Sequence, residues 1–285
     1  MLALYLGLAS CTTTSPQLAQ ERVVELAVQS SDTGEVAGPS ATLIVASLNL
    51  AHGRRDSLNQ ILVSSQKTRD NLRELAGYFR RSQVDIVALQ EADGASLWSG
   101  NFDHVSFVAG QAGYPWYVHA VHASIGVAQY GTGILSRRPL TGALELSFPP
   151  SPPTVRKGFT LAEVAWQLTE DPRDVVHVDV LSVHLDFSRE SVRSQQVGEL
   201  RAILDGRDNP LIIMGDFNSE GIASDLERAD PASERYLHAW FDEGEDLTTY
   251  KDKRLDWILL SSELEFVRHV TGREILSDHR PVLAE

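Results

Sequence analysis

Short apolar segments that each end in a polar residue recur along this sequence. The clearest of them is the run of residues 211–214 (LIIM), which is followed by Gly215, Asp216, Phe217 and Asn218. An apolar run of this length bounded by a glycine is typical of a buried β-strand. Side chains alternate along a strand, so Asp216 and Asn218 are expected to share one face at its carboxyl end. In open α/β sheets, ligands usually bind at this end of the strands.

The chemistry of Asp216 and Asn218 allows two interpretations. A carboxylate beside a carboxamide supplies hard oxygen atoms, which suit a magnesium site or the orientation of a water molecule against a phosphate. The same residues also suit a strand that ends in a simple Asx turn. These few residues do not decide between a functional site and a turn, so the rest of the chain must be considered.

The same pattern of an apolar strand with a polar end occurs several more times. Strands are predicted over residues 42–49, 84–89 and 175–185, and helical spacing over 67–81 and 190–204 indicates crossover helices between such strands. An aspartate or histidine alone is usually structural, but joint occurrence at strand ends favours a site. The polar groups at the predicted strand ends are Asn49, Glu91, His184, Asp216 with Asn218, Asp256, and Asp278 with His279.

Composition limits the classes of protein to which the chain can belong. A chain of 285 residues with 42% hydrophobic residues can form one large domain or two small ones. The net charge of -14 repels polyphosphates at long range, which argues against an enzyme that binds long nucleic acids without specificity. Residues 92–113 are predicted to be rich in loops, residues 233–240 to form a short helix, and residues 265–270 to form a strand.

The single cysteine, Cys11, follows Leu8, Ala9 and Ser10 in a string that resembles the lipobox of bacterial lipoproteins. This resemblance predicts a signal peptide over residues 1–10, lipidation of Cys11, and a polar tether over 11–40 ahead of a domain at 41–285. It would place the domain in the bacterial cell envelope, outside the cytoplasm. The alternative is a buried N-terminal segment with an incidental cysteine, in a secreted or cytoplasmic protein, since no positively charged n-region is present.

The order of the motifs resembles the endonuclease/exonuclease/phosphatase superfamily across residues 42–283. The resemblance implies an α/β (α+β) fold, a four-layer α/β/β/α sandwich of two packed mixed sheets flanked by helices. The site would lie at one rim of the two sheets. The strings that carry the resemblance are Ser-Leu-Asn49, Leu-Gln-Glu91, Gly-Thr-Gly-Ile-Leu-Ser136, Val-His184-Leu-Asp186, Gly-Asp216-Phe-Asn218, Leu-Asp256-Trp-Ile and Ser-Asp278-His279-Arg-Pro281.

The resemblance also implies a metal site. Members of the family hydrolyse phosphate esters with a divalent cation, usually Mg²⁺, and Mn²⁺ is the alternative. Glu91 matches the principal metal carboxylate of the family. Asn49 and Asp278 match groups that lie close to the metal.

Five further residues match the catalytic positions of the family. Asp216 and Asn218 match the pair that orients the attacking water and the substrate phosphate, and His184 matches a position that contacts the phosphate or the leaving oxygen. Asp256 matches the carboxylate partner of a catalytic histidine, and His279 matches that histidine. A pair of this kind would raise the histidine pKa and fix its tautomer. Either Asp216 or His279 can serve as the general base, and the sequence does not choose.

Substrate contacts are harder to predict than catalytic groups. Arg54 and Arg55 follow Asn49 closely and are the best candidates to bind the substrate phosphate, whereas other basic residues, including Lys157, are interpreted as ordinary solvated charge. Asp186 shares a face with His184, so it can hold that imidazole, contact the substrate or cap the following helix. His52 is interpreted as a packed or exposed residue in preference to a ligand contact.

The predicted activity is that of a metal-dependent phosphohydrolase, in particular a phosphodiesterase, acting as a monomer. Its expected substrate is a small phosphate ester or a lipid headgroup, and long nucleic acid is disfavoured. Three alternatives stay open: a secreted, DNase-like nuclease, a sphingomyelinase-like phospholipase C, and a non-catalytic binding module that retained the fold.

Overall fold

The computed structural model describes residues 20–24, 26–28, 36–229 and 236–285. Cys11 and the signal peptide predicted over residues 1–10 lie outside these residues. None of the helices in the described ranges combines the length and the apolar character needed to cross a membrane.

Strands outnumber helices in the described part of the chain. The helices are α1 (Ser65–Arg81), α2 (His104–Ala112), α3 (Glu190–Asp205) and α4 (Ile222–Ala229). The strands are, in chain order, β1 (Gln20–Val23), β2 (Ala27–Val28), β3 (Val45–Asn49), β4 (Ile86–Asp93), β5 (Trp116–Ile125), β6 (Ala128–Ser136), β7 (Leu140–Ser147), β8 (Gly158–Gln167), β9 (Val175–His184), β10 (Leu211–Asp216), β11 (Leu237–Ala239), β12 (Asp256–Ser261), β13 (His269–Thr271) and β14 (Val282–Ala284).

The described strands form two mixed sheets. The first sheet has the spatial order β1-β7-β8-β9-β10-β12-β11, and the second has the order β13-β14-β3-β4-β6-β5-β2. Each sheet contains one parallel pair, β9 with β10 and β3 with β4, and its other pairs are antiparallel. Helix α1 connects β3 to β4, which confirms the predicted crossover unit, and α3 connects β9 to β10 in the same way.

Three hydrophobic clusters hold the layers together. One cluster joins α1 and α2 to the outer face of the second sheet, one lies between the two sheets, and one joins α3 and α4 to the outer face of the first sheet. Burial on both faces explains why the strand segments are continuously apolar. In β10, Ile212 and Met214 face the other sheet, whereas Leu211 and Ile213 pack against the helices. The predicted sandwich of two mixed sheets flanked by helices is confirmed.

Local structure differs from the prediction in three segments. Helix α2 lies inside the region predicted to be loop-rich; the Asp103 side chain caps its first turn and its apolar face packs on the second sheet. Part of the helix predicted over residues 233–240 is instead β11, because these residues pair with β12 at the sheet edge. In the strand predicted over 265–270, only the end is extended: β13 begins at His269 and pairs with β14.

The sheets also extend upstream of the predicted domain start at residue 41. Strand β1 pairs with β7 in the first sheet, and β2 pairs with β5 in the second sheet. Part of the segment predicted to be a tether over 11–40 therefore contributes edge strands.

Gly215 is a glycine because two strands approach closely there, not because the chain turns. Strand β10 continues through Asp216, and a Cβ atom at position 215 would lie 2.0 Å from the carbonyl oxygen of Val183 on β9. We expect Gly215→Ala to lower the free energy of unfolding by about 3 kcal/mol, since the backbone of β9 must shift. Gly198→Ala in α3 is the matched control, because no heavy atom lies within 4 Å of the added methyl group.

Chemical denaturation measures both variants. Gly198→Ala is expected to raise the free energy of unfolding by about 0.5–1 kcal/mol, since alanine favours a helix interior over glycine. Equal denaturation midpoints for the two variants would contradict the close approach of β9 and β10.

Candidate functional site

Three polar residues form a row across the carboxyl end of the first sheet. Asp216 on β10 is paired in register with His184 on β9 and with Asp256 on β12. Each lies on the same face of its strand as residues that fill the space between the sheets, such as Met214 and Ile258. All three side chains therefore point inward at the rim where the two sheets meet.

The second sheet contributes Asn49 and Glu91 to the same rim. The Asn49 Nδ2 atom donates a hydrogen bond to Asp216 Oδ2 at 3.0 Å, which joins the ends of β3 and β10. Glu91 lies in an irregularity of the β4–β6 pairing between Leu89 and Ala92, and its φ of 47° is left-handed. This bulge breaks the alternation of β4 and directs the Glu91 carboxylate into the rim.

His279 and Asp256 form a buried pair. The Nδ1 atom of His279 lies 2.8 Å from Asp256 Oδ2, and the ring of Tyr250 packs on the imidazole with a centroid distance of 4.7 Å. Burial by itself would lower the pKa of His279, but the charge and hydrogen bond of Asp256 raise it to about 10. His279 is therefore an imidazolium at neutral pH.

Asp216 is the carboxyl group at the centre of the site. Its Oδ2 atom lies 3.6 Å from His184 Nε2 and 4.0 Å from His279 Nε2. Burial and the neighbouring charge of Asp256 raise the pKa of Asp216 to about 7, although His279 and Asn49 oppose this shift. A carboxyl group with such a pKa can exchange a proton near neutral pH.

Lys157, interpreted from sequence as solvated charge, is buried in the site. Its Nζ atom lies 2.9 Å from His184 Nε2 and 4.0 Å from Glu91 Oε1. Burial and the Lys157 charge hold the pKa of His184 well below its usual value, so this imidazole is neutral. No local string marked Lys157, because only the pairing of the adjacent Gly158 with His184 in the sheet brings its ammonium group to the site.

His52 contacts the other oxygen of Glu91. The His52 Nε2 atom lies 3.5 Å from Glu91 Oε2, and its Nδ1 atom lies 2.6 Å from Asp93 Oδ1. Burial would raise the pKa of Glu91, but the charges of His52 and Lys157 outweigh that effect and lower it to about 2. Glu91 is therefore an ionised carboxylate, with His52 next to Oε2 and Lys157 next to Oε1.

Asn218, Asp278 and Arg54 also lie at the site. The backbone N–H of Asn218 donates to Asp216 Oδ1 at 3.0 Å, and its φ of 51° bends the chain after β10. The guanidinium of Arg54 is paired with the Asp278 carboxylate. The open cleft has a volume of about 510 Å³ and is lined by Asn49, Arg54, Glu91, His184, Phe187, Arg193, Asp216, Asn218, Tyr250, Lys251, Asp252, Lys253, Leu255, Asp278 and His279.

Two of the predicted substrate contacts lie elsewhere. Arg55 is paired with Glu74 on the exposed side of α1, and it does not line the cleft. Asp186 is buried, and its carboxylate accepts hydrogen bonds from Thr154 and from the backbone N–H groups that precede α3. The Asp186 contacts match the structural alternative, in which it holds the start of α3, and not a substrate contact.

The donor groups of the site suit a divalent cation. Ligand atoms of Asp216, Asp256 and His279 all lie within 4.8 Å of one another, and they form a buried acidic and histidine cluster. Glu91, Asn49 and Asp278 add oxygen donors at the same cleft. Carboxylate and amide oxygens are the donors that hard divalent cations prefer.

Comparisons with known structures agree with the fold. A protein of the endonuclease/exonuclease/phosphatase family from Leptotrichia buccalis superposes with a TM-score of 0.63 at 16% identity, covering 86% of this chain and 99% of that one. A mannosyl-6-phosphatase from Bacteroides thetaiotaomicron has a TM-score of 0.60 at 15% identity, covering 86% of this chain and 99% of that one. Sphingomyelinase C from Streptomyces griseocarneus has a TM-score of 0.59 at 18% identity, covering 85% and 98% of the two chains.

Sequence comparison identifies the family. No curated protein sequence matches this chain. The family model described as "Endonuclease/Exonuclease/phosphatase family" matches residues 46–279, which contain every motif of the cleft described above. Members of that family are phosphoester hydrolases that use divalent metals. This chain therefore belongs to the endonuclease/exonuclease/phosphatase family.

Proposed function

We propose that this protein is a Mg²⁺-dependent phosphodiesterase, with Mn²⁺ as an alternative cation. One observation carries the proposal: three kinds of group meet at one cleft. They are the carboxyl group of Asp216, the His279 imidazolium paired with Asp256, and the ionised Glu91. Glu91, with Asn49 and Asp278, would hold the cation, which when bound neutralises charge on the phosphoryl oxygens. A binding module without catalysis has no need for this combination.

The protein groups then have distinct tasks. Asp216 accepts a proton from the attacking water, because its raised pKa of about 7 leaves a substantial fraction of it ionised at neutral pH and makes that carboxylate more basic than usual. The water oxygen forms a bond to phosphorus while the bond to the leaving oxygen breaks, and the leaving oxygen takes a proton from solvent water in the open cleft. His279, held as a cation by Asp256, stabilises the negative charge that develops on the phosphoryl group. Lys157 holds His184 neutral and adds a buried positive charge 4.0 Å from Glu91, behind the lining of the cleft.

The choice between Asp216 and His279 as the base follows from their charges. A general base must be deprotonated at the working pH, and His279, with a pKa of about 10, keeps its proton. Asp216 loses its proton near neutrality. We therefore assign the base to Asp216 and the electrostatic task to the Asp256–His279 pair.

The substrate class that we propose is a small phosphodiester, including a lipid headgroup. The net charge of -14 opposes long nucleic acids, and a cleft of about 510 Å³ suits a small molecule. The exposed ring of Phe187 and the side chain of Arg193 both line the cleft, which therefore offers apolar and cationic contacts. Lipidation of Cys11 remains a prediction, and it would bring lipid phosphodiesters within reach.

Metal-dependent release of p-nitrophenol tests the proposal. We expect bis-p-nitrophenyl phosphate to be hydrolysed with Mg²⁺ or Mn²⁺, and EDTA to abolish the rate until metal is restored. His177→Ala serves as a matched control, since His177 lies at the opposite end of β9 and pairs with Glu163. If neither this substrate nor any of the three further substrates is hydrolysed in a metal-dependent way, the result supports the non-catalytic binding module.

Three further substrates separate the alternatives. The similar structures include a sphingomyelinase C and a mannosyl-6-phosphatase. The substrates to be assayed are therefore sphingomyelin, a sugar 6-phosphate and supercoiled plasmid. We expect phosphodiester cleavage in a small molecule or lipid to exceed plasmid nicking. Faster nicking of plasmid than of any small substrate would favour the nuclease.

A further inference from the structure

His52 forms a second histidine–carboxylate pair next to Glu91, on the opposite side from Lys157. Its Nδ1 atom lies 2.6 Å from Oδ1 of Asp93, a fully buried carboxylate. Its Nε2 atom faces Glu91 Oε2 at 3.5 Å, which is longer than an ordinary hydrogen bond. Lys157 and His184 approach the other oxygen, Oε1. One ring nitrogen is thus held by a carboxylate while the second is directed at Glu91.

The backbone holds His52 in an unusual conformation. Ala51, His52 and Gly53 have φ angles of 45°, 57° and 71°, three successive left-handed residues directly after β3. Non-glycine residues in this region carry strain and concentrate at functional sites. Helix α1 locks the turn, because Asn71 Nδ2 donates to the Gly53 carbonyl at 3.0 Å. Glycine suits position 53, because its φ is left-handed and a Cβ there would lie 2.8 Å from Thr68 Cγ2, which would have to shift.

We propose that His52 Nε2 is a ligand of the divalent cation held by Glu91, with Asp93 as the residue that positions the imidazole. Histidines that bind metals almost always donate their other ring N–H to a carboxylate or carbonyl. Two ligand atoms that are each about 2.1 Å from one ion lie about 3.0–3.4 Å apart. The observed 3.5 Å between His52 and Glu91 therefore needs only a small movement.

The other two imidazoles of the cleft are less suited to this task. His184 has the ammonium of Lys157 at 2.9 Å from Nε2, and that charge repels a second cation. His279 is bound to Asp256 through Nδ1 and covered by Tyr250. The inference rests on the proposed metal dependence. It adds that a nitrogen ligand shifts preference from Mg²⁺ towards Mn²⁺, Co²⁺ or Zn²⁺.

Pulsed electron paramagnetic resonance of the full chain loaded with Mn²⁺ tests the ligand directly. We expect modulation from an imidazole nitrogen in the wild-type protein and its loss in His52→Gln. His184→Gln and His279→Gln should retain the modulation. Calorimetry should show that His52→Gln binds Mn²⁺ about 10- to 100-fold more weakly. Asp93→Asn is expected to keep the nitrogen signal with weaker binding, and His177→Gln should match the wild type.

The outcomes separate this inference from the proposed function, because neither measurement uses a substrate. If the nitrogen modulation depends on His52 but the protein hydrolyses none of the substrates, the proposed function is rejected and His52 is retained as a metal ligand. If hydrolysis depends on metal and the nitrogen modulation persists in a folded His52→Gln variant, His52 is rejected as a ligand and the proposed function is retained. Loss of modulation in His279→Gln alone would move the cation to the cluster of Asp216, Asp256 and His279.

Discussion

His279→Ala is expected to lower kcat/KM for bis-p-nitrophenyl phosphate by about two to four orders of magnitude, the range of a lost acid–base or charged group. The imidazolium lies 4.0 Å from Asp216 and is buried, so its charge acts on the reacting phosphate with little screening by water. Alanine removes the charge, and no other side chain among the described residues occupies the same position against Asp256.

Asp256→Asn should reduce kcat/KM to a similar extent. Asparagine keeps the size of the side chain, but it neither holds the His279 tautomer nor raises the histidine pKa. The two residues act as a unit, so the Asp256→Asn, His279→Ala double variant is expected to be no slower than the slower single variant.

Steady-state kinetics with Mg²⁺, together with circular dichroism and denaturation midpoints, measures these effects. His177→Ala is the control for loss of an imidazole, since its partner Glu163 is distant from the cleft lining. A folded His279→Ala or Asp256→Asn variant with the wild-type rate would remove that residue from the mechanism. Strictly additive losses would show that the two residues act separately.

Asp216→Asn is expected to lower kcat by about two to four orders of magnitude and to change the pH dependence. In the wild-type enzyme the base form of Asp216 increases as pH rises through about 7, so kcat/KM should rise over that range. It should fall again as pH rises through about 10, where His279 loses its proton. The rising limb should be absent from the residual activity of Asp216→Asn.

The pH profile is measured at saturating Mg²⁺ from about pH 5 up to the pH at which the metal hydroxide precipitates. The hydrogen bond from Asn49 can be retained by the asparagine carbonyl, so the fold is expected to persist. A rising limb that survives in Asp216→Asn assigns the base to another group. A wild-type rate that falls as pH increases through 7 contradicts an ionised Asp216 as base.

The sequence pattern predicted the residues of the row because strand alternation is a local property. His184 and Asp216 each follow an apolar run and Asp256 precedes one, and all three share the inward-facing side of their strands with the inter-sheet core. The crossover helices α1 and α3 were also predictable, since helical spacing requires only neighbouring residues. Helix α2 was not predicted, because its surroundings contain few periodic residues and its apolar face is defined by the sheet it covers.

Glu91 illustrates where alternation fails. Gln90 is the residue of β4 whose side chain faces the first sheet, where it donates to Ser182 at 3.0 Å. Strict alternation would turn Glu91 to the helix side. The bulge between Leu89 and Ala92 and the left-handed φ of Glu91 redirect it. No local string in β4 specifies such a bulge. The strand pattern marked Glu91 only as a polar residue at a strand end, and its role as a metal ligand was implied by the family resemblance.

The sequence by itself determined the identity of the polar strand ends and the first crossover unit, since these follow from local periodicity, and the order of its motifs implied the sandwich through a family resemblance. Only the tertiary structure decided that Lys157 is buried against His184, that Asp93 holds His52 beside Glu91, and that Asp186 supports α3. The Lys157–His184 and His52–Asp93 contacts join segments far apart in the chain. Their pKa values and coordination chemistry depend on distances that arise only after the two sheets pack.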